Sequence, residues 1–191
     1  MLKKTATIVL IAFSMTSCVN VATTGATIVY NRHNIEKNLF DHYLTMQAHQ
    51  ALYIDHDDFK NANIVITTYQ GEMLLLGQAP TELQKREAEG IIKKIPDIKK
   101  IYNLVEIRSP SSYLTRVSDT WITTKIKSKL MATNDVDATK VKVVTENGIV
   151  YLLGTLEVAE AEAAVNIARQ TDGVRQVMKI FSYVTISKTL A

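Results

Sequence analysis

Apolar and polar positions along the chain fall into two stretches that repeat each other. Ile64 to Gly71 (IVITTYQG) reads as a strand running into a turn, and Glu72 to Gly77 (EMLLLG) reads as a second strand. The same pattern returns about 77 positions on, as Val141 to Gly148 (VKVVTENG) followed by Ile149 to Gly154 (IVYLLG). Each pair has the length and β-branched content of a hairpin. Asn147-Gly148 is the strongest turn signal, because a two-residue type I′ turn needs positive φ at both central positions; Gln70-Gly71 fills the same place less ideally. Past the hairpins the offset falls by one, which sets Ala88, Ile91, Ile98 and Ile101 over Ala164, Ile167, Val174 and Val177.

Helical spacing flanks both hairpins. Ile122, Ile126 and Leu130 recur one turn apart. Thr81 to Ile95 and the Ala- and Glu-rich stretch Glu157 to Gln170 are helical by composition and period. Pro96-Asp97 breaks the first of these, and Gly173 suits the end of the second. Ile98 to Ile107 and Val174 to Ile186 then read as strands. The expected fold is α+β: two tandem αββαβ modules, residues 40–108 and 115–191, joined by a linker at 109–114. Each module is a three-stranded sheet packed against two helices.

The N-terminus has a different pattern. Lys3 and Lys4 precede an uncharged apolar run, Ala6 to Phe13, and Ser14-Met15-Thr16-Ser17 leads into Cys18. This is a signal-peptide layout over residues 1–17, too short for a permanent membrane span. Ser17-Cys18 resembles a lipobox, although Met15 stands where Leu is usual. The expectation is that Cys18, the chain's one cysteine, is the site of lipid attachment. A thiol consumed by lipid is no liability in an oxidising compartment. Val19-Asn20 lacks the Asp that signals inner-membrane retention. The address expected is the outer membrane, lipid-anchored, on the periplasmic side. Residues 18–39 show little periodicity and read as a lipidated tether, partly helical toward Phe40.

Charge excludes some functions and leaves others open. Formal net charge is +3, but two of the 22 Lys and Arg lie in the leader, so the mature chain is close to neutral against 19 Asp and Glu. There is no basic run and no nucleic-acid signature. His33, His42, His49 and His56 lack a tight ligand pair, so they read as solvated polar residues rather than a metal site. No nucleophile or phosphate-loop context is visible. The chain is expected to be no enzyme and to need no cofactor. Glu157, Glu160 and Glu162 read as an exposed helix face.

The Thr-ended strand, the Gly-bounded hairpin and the Ala/Glu helix followed by Gly-Val together resemble the BON domain family. Ser118 to Lys125 (SDTWITTK), Lys142 to Gly148 (KVVTENG) and Val150 to Gly154 (VYLLG) are similar to dual BON-domain outer-membrane lipoproteins. That resemblance implies a periplasmic-side protein that binds anionic phospholipid, associates with division sites and supports envelope integrity.

On a helical wheel Trp121, the chain's one tryptophan, points away from Ile122, Ile126 and Leu130. Thr124, Lys125, Ser128 and Lys129 surround it. Trp favours the headgroup zone and Lys reaches anionic phosphate, so these five positions form a candidate phospholipid-binding patch. The alternatives are that Trp121 packs against copy one or the linker, or that the same face docks an adaptor contact on another envelope protein. Copy one is expected to lack the feature, with Leu44 over Trp121, Ala48 over Lys125 and an acidic Asp55 to Asp58 (DHDD).

Overall fold

The computed structural model describes residues 25–184. The first module runs α1 (Gly25–His49), a wider π-type turn (Gln50–Ile54), β1 (Asn63–Tyr69), β2 (Glu72–Ala79), α2 (Glu82–Ile92), β3 (Lys100–Asn103) and β4 (Glu106–Ile107). The second runs α3 (Tyr113–Ala132), β5 (Val141–Glu146), β6 (Ile149–Leu156), α4 (Val158–Arg169) and β7 (Gln176–Tyr183). Cys18 and the rest of the leader lie outside the described residues.

Both hairpins are antiparallel, and each second strand then pairs in parallel with the strand after the helix. Gln70 and Gly71, like Asn147 and Gly148, all have positive φ, so both turns carry the left-handed pair of a type I′ turn. A buried aspartate closes each one. Asp41 accepts hydrogen bonds from the backbone N–H groups of Gln70 (2.6 Å) and Gly71 (2.8 Å). Asp119 does the same for Asn147 (2.7 Å) and Gly148 (2.8 Å). Burial of these carboxylates is tolerable because each accepts two backbone donors.

Three elements differ from the sequence reading. Helix α1 starts at Gly25, so 25–39 is helical rather than a loose tether; no proline and no further glycine interrupts that stretch. Helix α3 starts at Tyr113 behind a Ser112 cap, whose Oγ accepts from Thr115 N–H (3.1 Å), so Tyr113 and Leu114 belong to the helix and not to the linker. The expected strand Ile98 to Ile107 is interrupted at Leu104-Val105. There Asn103 donates to the Lys85 carbonyl (2.9 Å) and accepts from Val105 N–H (3.3 Å), bending the chain so that Val105 enters the core.

The alternation along the strands makes a four-layer sandwich. Met73 and Leu75 of β2 face α1 and α2, with Leu44, Ala48, Leu52 and Ile92. Val150 and Leu152 of β6 face α3 and α4, with Ile122, Ile126 and Leu130. The intervening residues Leu74, Leu76, Tyr151 and Leu153 point the other way and pack against each other. The two sheets therefore lie back to back with the helices outside. Each buried large aliphatic contributes roughly 1.5–3 kcal/mol, so this shared seam is a third core.

The seam is hydrogen-bonded at both ends. Tyr69 Oη donates to the Lys140 carbonyl (3.0 Å) and accepts from Thr155 N–H (3.1 Å). At the other end Glu146 Oε1 accepts from Gln78 Nε2 (2.8 Å) and Asn63 Nδ2 (3.4 Å). Ser111, inside the expected linker, donates its N–H to Gln78 Oε1 (2.8 Å), so the connection is held to the seam.

Candidate functional site on the α3 face

Helix α3 buries Ile122, Ile126 and Leu130 and turns its other side to solvent. Trp121 is 64% exposed, so most of its side chain faces solvent. The helix's early start adds residues that wheel geometry from Asp119 onward missed. Leu114 (78% exposed) and Val117 (49% exposed) lie seven and four residues before Trp121, on the same face, with Tyr113 beside them. The signal was present as apolar positions at helical spacing in Tyr113 to Trp121 (YLTRVSDTW), hidden by assigning its start to a linker. A contiguous apolar stripe of this kind on a helix marks a contact surface.

The polar positions expected around Trp121 behave in three ways. Thr124 and Ser128 are exposed beside it; Thr124 Oγ1 donates to the Thr120 carbonyl (2.9 Å). Lys125 Nζ donates to the Asp172 carbonyl (2.7 Å). Lys129 Nζ donates to the Gln170 carbonyl (3.3 Å) and to Thr171 Oγ1 (3.0 Å). Both ammonium groups therefore cap the C-terminal end of α4, where the helix dipole favours cations. They rim the apolar stripe with positive charge but are anchored rather than free.

Other candidates are placed as follows. His49 packs against Tyr53 with ring centroids 5.0 Å apart, and among the described residues no three His, Cys, Asp or Glu converge as metal ligands. Glu160 is not simply an exposed acid, as expected of it: its carboxylate accepts from Glu157 N–H (3.1 Å), capping α4, and from Asp137 N–H (3.4 Å). Among the described residues no helix is long and apolar enough to cross a membrane.

The BON domain pattern matches residues 41–109 and again 118–184. The chain belongs to the BON domain family. It is 44% identical over 127 residues to the 21 kDa hemolysin of Actinobacillus pleuropneumoniae, covering 65% of this chain and 64% of that protein. It is 34% identical over 143 residues to the outer membrane lipoprotein DolP of Haemophilus influenzae, covering 75% and 74%. Osmotically-inducible protein Y of Escherichia coli is 31% identical over 140 residues, covering 72% and 69%.

With two BON modules established, their internal alignment can be corrected. Asp41 and Asp119 make the same pair of bonds to their hairpins, so the first helices align one residue away from the hairpin offset. Leu44 then stands over Ile122 and Ala48 over Ile126, and all four are core residues. The position matching Trp121 is Tyr43, 53% exposed, and the position matching Lys125 is Gln47. The first BON module thus carries an outward aromatic too, with Leu39 and Met46 exposed on either side. What it lacks is the cationic rim. The sequence comparison had placed a buried leucine there because a single gap between helix and hairpin leaves no local trace.

Proposed function

We propose that this protein is a lipid-anchored envelope protein on the periplasmic side of the outer membrane, whose second BON module docks on anionic phospholipid through the α3 face. The observation that carries the reading is the exposed stripe Leu114, Val117 and Trp121, rimmed by Lys125 and Lys129. Apolar side chains at the headgroup boundary with basic residues beside them are the composition of an interfacial helix. The likeness to an outer membrane lipoprotein supports the address, and Ser17-Cys18 supplies a lipidation site. The protein acts by binding rather than by catalysis, and supports envelope integrity, including at division sites, by holding a domain at the membrane.

Contacts of one Trp, two small aliphatics and two lysines are weak alone. The anchor compensates by keeping the domain at an effective concentration on the order of millimolar. The test is co-sedimentation of the protein without its lipid on anionic and neutral vesicles, at low and high salt. Trp121→Glu should weaken binding to anionic vesicles roughly tenfold while leaving the melting temperature unchanged. High salt should weaken the wild type as well, because each surface lysine contributes about 1 kcal/mol that is screened within a Debye length. Full vesicle binding by folded Trp121→Glu would move the reading to a protein-docking face.

A further inference from the structure

The seam between the two sheets opens at its Tyr69 end into a crevice of about 320 Å3, in the lower range of small-ligand pockets. Its walls come from both modules: Asn38, Asp41 and His42 of α1, Thr68 at the end of β1, Lys127 of α3 and Lys142 of β5. Lys142 occupies the strand position that Val65 holds in the first module, where the side chain packs in the seam. Its stem crosses the seam and its ammonium emerges in the crevice, donating to the Thr68 carbonyl (2.7 Å).

The charge in this crevice is not balanced. Burial lowers the basicity of Lys142, the carboxylate of Asp41 partly restores it, and the ammonium of Lys127 lowers it again. Among the described residues that line the cavity Asp41 is the one acidic group, and its two oxygens already accept from Gln70 and Gly71. Among the described residues neither Lys127 nor Lys142 forms an ion pair. Two cations therefore converge in a walled space, with the imidazole of His42 and the amide of Asn38 at its rim as further donors. Lys142 from within the seam and Lys127 from the exposed side repel each other, and an anion seated between them relieves that repulsion.

We propose that this inter-module crevice binds a phosphate-bearing anion, either a phospholipid headgroup or a soluble phosphate ester, through Lys127 and Lys142. The site is separate from the α3 face, because Lys127 lies six residues beyond Trp121 and about 120° around the helix. Since both modules line it, its ligand stabilises their packing.

The test is thermal melting of the full chain in inorganic phosphate or glycerol phosphate against chloride of matched ionic strength. Phosphate at several times its Kd should raise Tm by about 2–4 °C over chloride. Lys127→Ala and Lys142→Met should abolish that rise, and Trp121→Glu should leave it intact. Vesicles of phosphatidylglycerol separate the two sources. If Lys127→Ala also lowers vesicle binding in a Trp121→Glu background, the ligand is a headgroup; if vesicle binding is untouched, it is a soluble ester. No rise over chloride in the wild type, or the same rise in Lys127→Ala, would overturn the proposal.

Discussion

Tyr69 and Glu146 end the first strands of the two hairpins, and each reaches across the seam into the other module. Tyr69 has a hydroxyl that both donates and accepts, and it satisfies a carbonyl and an amide of the second module. Glu146 only accepts when ionised, and its partners in the first module are the amide groups of Gln78 and Asn63. The places are equivalent by the repeat and the reach is equivalent in space, but the chemistry is not. A duplicated module thus builds a pseudo-symmetric interface whose two ends are held by different chemistry. The same divergence marks the outer faces, where Tyr43 and Trp121 correspond and only Trp121 has anchored lysines beside it.

The two modules share a core in the seam, and a charge placed there is the hardest test of that. Leu76 is fully buried between the sheets. Leu76→Asp should cost about 4 kcal/mol or more, because an unpaired carboxylate would be forced into an apolar layer. For a chain of this size that is a fall in Tm of roughly 10 °C. Scanning calorimetry should show one transition in the wild type, and the variant should either melt far lower or split into two. An unchanged single transition would mean that the back-to-back packing contributes nothing.

A smaller effect separates the Tyr69 end. Tyr69→Phe keeps the ring in the seam but removes the hydrogen bonds that the hydroxyl makes to the Lys140 carbonyl and from the Thr155 N–H. Two part-buried hydrogen bonds together contribute about 1–3 kcal/mol. Denaturant unfolding should show that loss equally at pH 5 and pH 8. A loss below 0.5 kcal/mol (about the noise of such a measurement) would remove Tyr69 as a seam bond.

Much of this architecture was legible because each decisive signal is local. The Asn147-Gly148 pair, the apolar run Ile149 to Leu153 and the spacing of Ile122, Ile126 and Leu130 each determine an element without reference to the rest. The apolar runs of β2 and β6 contain Leu74, Leu76, Tyr151 and Leu153 but carry no sign of the third core: a sheet with two apolar faces does not say what covers the second. Of the α3 face, Trp121, Thr124 and Ser128 could be read from a wheel. The anchoring of Lys125 and Lys129 on α4 could not, since Gln170 and Asp172 lie more than 40 residues away in the chain. Lys142 is a charged residue at the strand position that Val65 holds in the first module.

The smallest effect is the most diagnostic of the difference between the two ends. Burial pushes the carboxyl of Glu146 above its ordinary value of 4.5, and the hydrogen bond from Gln78 only partly offsets this. Asp119 pushes in the same direction as burial, while Ser111 and the more distant Arg108 oppose it. A carboxyl whose folded pKa is raised binds its proton more tightly in the folded state than in the unfolded one. Its contribution to stability is therefore complete below the unfolded value and is lost as pH rises through the raised folded value. Glu146→Gln mimics the protonated form at every pH and keeps an oxygen to accept from Gln78 and Asn63. The variant should match the wild type near pH 4.5 and become relatively more stable as pH rises to 8. Taking the difference between variant and wild type cancels the opposing trend from Glu89 and Asp137, whose carboxyls are held below their ordinary values. The measurement is Tm across that range for wild type, Glu146→Gln and Tyr69→Phe. Parallel curves for the wild type and Glu146→Gln would show that the proton on Glu146 does not change the strength of its end of the seam, and its chemical difference from the Tyr69 end would then have no thermodynamic consequence.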